Sequence, residues 1–157
     1  MPSYKAGGKV TYYTNKTENT YTFEEYYDGK DCHLIRYTED ELKVYVNKNG
    51  VYSAYNNDKA VRISDTDEGY KYIFPDCFFE SYYTKETSSV DKDSKYVILE
   101  SDYFSDNVSL VRMWIDTDSV NPYMMQIYDD NDKLLLKILF TSFEYGYKTE
   151  DEIFSFQ

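Results

Sequence analysis

Histidine, glycine, proline and tryptophan are scarce in this 157-residue chain, and each shortage excludes something. His33 is the only histidine, so a Ser-His-Asp arrangement would have to use it, and no serine stands in a nucleophile-elbow pattern. Mid-strand beside Cys32, His33 reads as structural. One histidine and two cysteines are too few for an ordinary zinc centre, which takes several Cys or His ligands. The six glycines form no phosphate-cradling loop. Cys32 and Cys77 make no Cys-x-x-Cys pair and are expected as two free, largely buried thiols. A single disulfide is the alternative if their Cα atoms approach within ~7 Å.

Positive charge is also short. Seventeen basic residues face 29 acidic ones, a net charge of −12. Nucleic-acid binding needs clustered Lys and Arg to neutralise phosphate, so that class is excluded. An anionic membrane surface repels the chain on average. No run of ~18 apolar residues exists to span a bilayer, and no charged segment followed by an apolar stretch marks a signal peptide. Met1-Pro2-Ser3-Tyr4 enters a strand almost at once. A natural segment carrying an export signal or anchor is expected to precede it.

Tyrosine and phenylalanine are abundant, 20 and 9 residues. Tyrosine joins an apolar ring to a polar tip and suits a half-wet surface. The length fits one domain, residues 1–157.

Period-2 alternation and polar turns predict strands at 9–14, 21–27, 32–37, 42–46, 51–55 and 60–64. Asn47-Lys48-Asn49-Gly50 is the strongest hairpin turn, because Asn and Gly accept positive φ. Apolar residues at Phe74, Cys77, Phe78, Phe79 and Tyr82 predict a short helix, with Pro75 in its first position. Glu86 to Lys95 reads as a solvated, mobile loop. Strand resumes at Tyr96 to Ser101, and a meander runs from Val108 to Phe156. The fold class is mainly β: a curved antiparallel sheet or incomplete open barrel with one or two short helices.

In the meander, Tyr123, Met125 and Ile127 share one parity, as do Leu134, Leu136, Ile138 and Phe140. These seven are the candidate concave-face or packing residues. Leu135 and Leu139 lie on the opposite face, which is therefore partly apolar and awaits either a covering helix or a partner. Around Trp114 the parity is ambiguous, with Val111, Met113 and Ile115 opposing Leu110 and Trp114. Asp65-Thr66-Asp67 lacks the distal Glu of an EF-hand loop, and Asp129-Asp130-Asn131-Asp132 has the composition of a turn. No catalytic group, metal or cofactor is expected.

The same stretch resembles the LolA-type lipoprotein-carrier family. The matching features are Trp114-Ile115-Asp116, Asn121-Pro122, Ile127-Tyr128-Asp129, Ile138-Leu139-Phe140 and Ile153-Phe154, with Ser3-Tyr4-Lys5-Ala6 at the opening. The resemblance implies an incomplete antiparallel barrel with helices as a lid, and a first helix ahead of Ser3. The Tyr-rich lining departs from the aliphatic lining of the acyl carriers. Within the family, the chain is most similar to the clostridial spore germination lipoproteins. That likeness implies a non-enzymatic, lipid-anchored protein in the space between the forespore membranes. Its partner would be a zinc-dependent N-acetylmuramoyl-L-alanine amidase that it activates for muramic-δ-lactam formation in the cortex. Carriage of lipid or lipoprotein acyl chains is the alternative. An exposed sheet edge would also allow a homodimer or an exchanged strand or hairpin.

Overall fold

The computed structural model describes residues 1–56, 58–67, 69–84, 89–92, 95–105, 107–148 and 150–155. The strands are β1 (Tyr4–Tyr13), β2 (Glu18–Tyr27), β3 (His33–Tyr37), β4 (Leu42–Asn47), β5 (Gly50–Tyr55) and β6 (Val61–Ser64). Helix α1 (Pro75–Thr84) follows, then β7 (Ser89–Lys92), β8 (Tyr96–Ser105), β9 (Val108–Asp116), β10 (Pro122–Tyr128) and β11 (Leu134–Tyr145). Short 3-10 turns occupy Lys71–Ile73 and Asp151–Phe154. The strands form one sheet in the order β6-β5-β4-β3-β2-β1-β11-β10-β9-β8-β7. Different strands hold its two ends, so the sheet is open, and the mainly-β expectation holds.

The chain divides into two compact units. The first comprises Met1–Gly8, Tyr21–Tyr70 and Thr141–Gln157. In it β2 to β6 form an antiparallel meander with residue-by-residue registers such as Phe23↔Tyr37, Ile35↔Val44 and Val46↔Val51. Phe23, Ile35, Val46 and Val51 are almost wholly buried, as period-2 alternation requires of one face. The start of β1 joins the end of β11: the Gly146 N–H donates to the Ser3 carbonyl at 2.7 Å, and the Ser3 hydroxyl donates to the Tyr147 carbonyl at 3.0 Å. The Tyr4 ring packs between Tyr27 and Phe143 at centroid distances of 5.5 and 4.9 Å.

The second unit comprises Lys9–Thr20 and Lys71–Phe140. Leu99, Met113, Met125 and Ile138 lie directly opposite one another across β8, β9, β10 and β11, and all four are buried. Ser101, Val111, Ile127 and Leu136 form the next buried row. Helix α1 packs on β8, with the Ser81 and Ser101 hydroxyls 3.2 Å apart. Phe74 and Phe78, at the helix start, are buried. Each large apolar side chain buried this way contributes roughly 1.5–3 kcal/mol.

The helix begins at Pro75, as its fixed φ and missing N–H favour. Two expectations need correction. β1 begins at Tyr4, five residues before the predicted Lys9, because the Gly7-Gly8 pair that weakened the local signal is held between β2 and β11. The predicted loop from Glu86 to Lys95 contains β7, whose Ser89–Lys92 pair with Glu100–Val97 of β8. Tertiary pairing overrides the polar local sequence there; residues 86–88, 93 and 94 lie outside the described residues.

Candidate functional site

The candidate site is a polar cleft of about 300 Å³ in the first unit, lined by Arg36, Tyr37, Thr38, Glu41, Lys43 and Asn56. Strand register explains the grouping. Glu24, Arg36, Lys43 and Ala54 lie directly opposite one another across β2, β3, β4 and β5, so they share a face. Arg36 carries an ion pair to Glu24 at 3.5 Å, on partly exposed side chains. Such a pair is worth about 0.2–1 kcal/mol. Among the described residues, Lys43 makes no ion pair. Ala54, opposite it, is buried.

Thr38 and Glu41 close the β3–β4 hairpin, the Glu41 N–H donating to the Thr38 carbonyl at 3.4 Å. The Asn56 N–H in turn donates to the Glu41 carbonyl at 2.9 Å. Glu41 and Asn56 have φ of 49° and 53°, the left-handed region that Asn tolerates and Glu seldom adopts. Both residues are exposed and sit at turns on the rim of the cleft.

His33 stacks on Tyr27 with ring centroids 4.6 Å apart and planes 12° from parallel. Cys32 and Cys77 are free thiols, Cys77 buried and Cys32 half-buried. Burial, then the nearby Asp28 and Asp31 carboxylates, push the Cys32 thiol up to about 12, so it stays protonated at neutral pH. Asp28 Oδ1 accepts the N–H groups of Lys30, Asp31 and Cys32 at 2.8, 3.1 and 3.1 Å, which fixes the β2–β3 turn.

Of the seven residues singled out in the meander, Met125, Ile127, Leu136, Ile138 and Phe140 are buried and Leu134 is half-buried. Met125 and Ile138, and likewise Ile127 and Leu136, are direct cross-strand partners. Tyr123 departs from them. It is 38% exposed and stacks on Tyr96 at 4.7 Å. A register shift between Pro122 and Met124 moves the parity by one, so Pro122 takes the buried position instead. That shift also separates Tyr123 from its neighbours in any simple count of alternation.

The Trp114 ambiguity resolves as well. Val111 and Met113 are buried, and Trp114 is half-buried on the opposite face. There Ile98, Trp114, Met124 and Leu139 form one cross-strand row. Beside it the Arg112 guanidinium bonds to Glu100 at 2.8 Å and lies over the Trp114 and Tyr128 rings, 5.8 and 5.5 Å from their centroids. The partly apolar second face read from Leu135 and Leu139 is thus a half-exposed surface with aromatic and arginine content.

Sequence reasoning did not single out Arg36, Thr38, Glu41, Lys43 or Asn56. A signal existed. A hairpin closed through Thr38-Glu39-Asp40-Glu41 sets Arg36 opposite Lys43, two like charges that a plain sheet surface disfavours.

Several solved structures share the fold. The GerS lipoprotein in complex with the CwlD amidase of Clostridioides difficile matches with a TM-score of 0.59 and 19% identity, covering 92% of this chain and 87% of that one. A putative outer membrane lipoprotein-sorting protein domain from Vibrio parahaemolyticus matches with a TM-score of 0.50 and 12% identity, over 98% and 90%. The MucA/MucB complex of Pseudomonas aeruginosa matches with a TM-score of 0.55 and 12% identity, over 99% of this chain and 56% of that one. At these identities the likeness is one of fold, and it agrees with the LolA-type resemblance. No curated protein sequence matches the chain. The YdcC-like sporulation protein family matches residues 1–154, and the chain belongs to that family.

Proposed function

We propose that this chain is a non-enzymatic, extracytoplasmic lipoprotein that binds and activates an N-acetylmuramoyl-L-alanine amidase of the spore cortex. The observation that carries the reading is the pairing of a sporulation family with a fold whose solved relative stands in complex with an amidase. The face bearing Trp114, Arg112, Met124 and Tyr128 supports it, since Trp, Tyr and Arg concentrate the energy of protein interfaces. No helix among the described residues is long and apolar enough to cross a membrane.

The test is to co-express the chain with its host's cortex amidase, purify the pair, and assay cleavage of cortex peptidoglycan with and without the chain. A stable complex and a gain in activity are expected. An amidase that neither binds the chain nor gains activity from it overturns the proposal.

Carriage of acyl chains draws on the likeness to the lipoprotein-sorting domain. It demands a continuous apolar cavity, whereas the cleft lined by Arg36, Lys43 and Glu41 is polar. Mass spectrometry of extracted ligand separates the two readings. The amidase reading also includes self-association at β6, an edge strand on which Val61 and Ile63 are 63% and 48% exposed. Light scattering that finds monomer at every concentration sets that part aside.

A further inference from the structure

We propose that the cleft at the ends of β3, β4 and β5 binds a carboxylate-bearing amino sugar of the muramic type. The choice of sugar rests on the amidase reading; the anion site itself rests on the cleft. Three observations converge there. Arg36 and Lys43 are direct cross-strand partners, a like-charge pair that Glu24 offsets on the Arg36 side only. Glu24 engages Arg36 from the far side, while Lys43 has no ion pair among the described residues, so Lys43 lines the cleft as a cation with only the Glu41 carboxylate at the rim to offset it. Glu41 and Asn56 hold left-handed backbone at the same rim, linked by the Asn56 N–H to Glu41 carbonyl bond. Glu seldom adopts this conformation, and backbone strain of that kind is found at ligand sites.

The volume, about 300 Å³, lies at the small end of ligand pockets and suits one sugar ring. The lining suits that ring chemically. The ammonium and guanidinium match a carboxylate, as charge-assisted bonds favour. The Asn56 amide and Thr38 hydroxyl match an acetamido group and ring hydroxyls, and the Glu41 carboxylate accepts from hydroxyls. An acidic protein segment fits less well, because Glu41 and the net charge of −12 repel a run of carboxylates while a single one on a neutral ring escapes most of that repulsion. The amidase reaction supplies such a group. Water cleaves the amide between the muramoyl acyl carbon and the alanine nitrogen, leaving the carboxylate on the glycan and the amino group on the peptide. An activator that holds this product carboxylate would stay with glycan already processed.

The experiment is an NMR titration of the full chain with N-acetylmuramic acid, and with N-acetylglucosamine, which lacks the carboxylate. N-acetylmuramic acid is expected to shift the amides of residues 36–43 and 56, and N-acetylglucosamine to leave them in place. Lys43→Gln should weaken binding about tenfold or more and leave the melting temperature unchanged or higher, since it removes a like-charge pair; Lys43→Arg should restore binding. Equal response to both sugars, no response, or a response that Lys43→Gln leaves intact overturns the proposal. So does a Lys43→Gln chain that loses the amidase while the wild type ignores the sugar, which makes the cleft a protein contact. An amidase complex without sugar binding sinks this inference alone; sugar binding without an amidase complex sinks the activator reading and leaves the anion site standing.

Discussion

The Tyr26 hydroxyl contributes stability that is lost at alkaline pH. Its phenol donates to Glu24 Oε2 at 2.9 Å, and Lys5 lies 5.6 Å from its ring centroid. Burial, then the hydrogen bond and charge of Glu24, raise its pKa from the ordinary 10.0 to about 12. A raised acid pKa means that the fold favours the neutral phenol. That contribution is complete below pH 10 and disappears as pH climbs through about 12. Tyr26→Phe should therefore flatten the loss of stability between those limits, read from urea midpoints at each pH. Gly50 sets a different kind of limit. At φ 137° in the β4–β5 turn, an added Cβ would collide with the Ser64 carbonyl oxygen. Gly50→Ala should cost about 1–3 kcal/mol from the backbone conformation alone, seen as a lower urea midpoint with an unchanged slope.

Among the elements, β10 carries the clearest contrast between its two faces. Met125 is fully buried between Met113 and Ile138, whereas its neighbour Met124 is half-buried beside Trp114. Met125→Ala should destabilise by about 2–5 kcal/mol. Met124→Ala, on the half-exposed face, should cost less than about 1 kcal/mol if that face is free for a partner. Most of these elements were legible in the sequence, because alternation in Leu134 to Phe140 and the Pro75 helix start are local signals. β7 was hidden, since Ser89-Val90-Asp91-Lys92 becomes a strand only through β8. Tyr123 was misplaced by a register shift that leaves no mark on composition. The cleft depends on which residues three separate strand ends bring together, and register between strands is set by turns and long-range pairing more than by any one segment.

Across the whole molecule, a charge of −12 opposes compaction by self-repulsion. Raising sodium chloride from about 0.01 to 0.15 M shortens the Debye length from about 30 to 8 Å. The melting temperature at pH 7 should rise over that interval and then level off; a fall would show that specific ion pairs such as Arg112–Glu100 outweigh the repulsion. The strand order has a consequence in time. β1 lies between β2 and β11, and the Thr141 hydroxyl reaches the Gly7 carbonyl across 134 positions of chain. During synthesis β1 therefore emerges with one flank bare and keeps it so until β11 has been added. Whatever guards the growing polypeptide must shield that flank until β11 arrives.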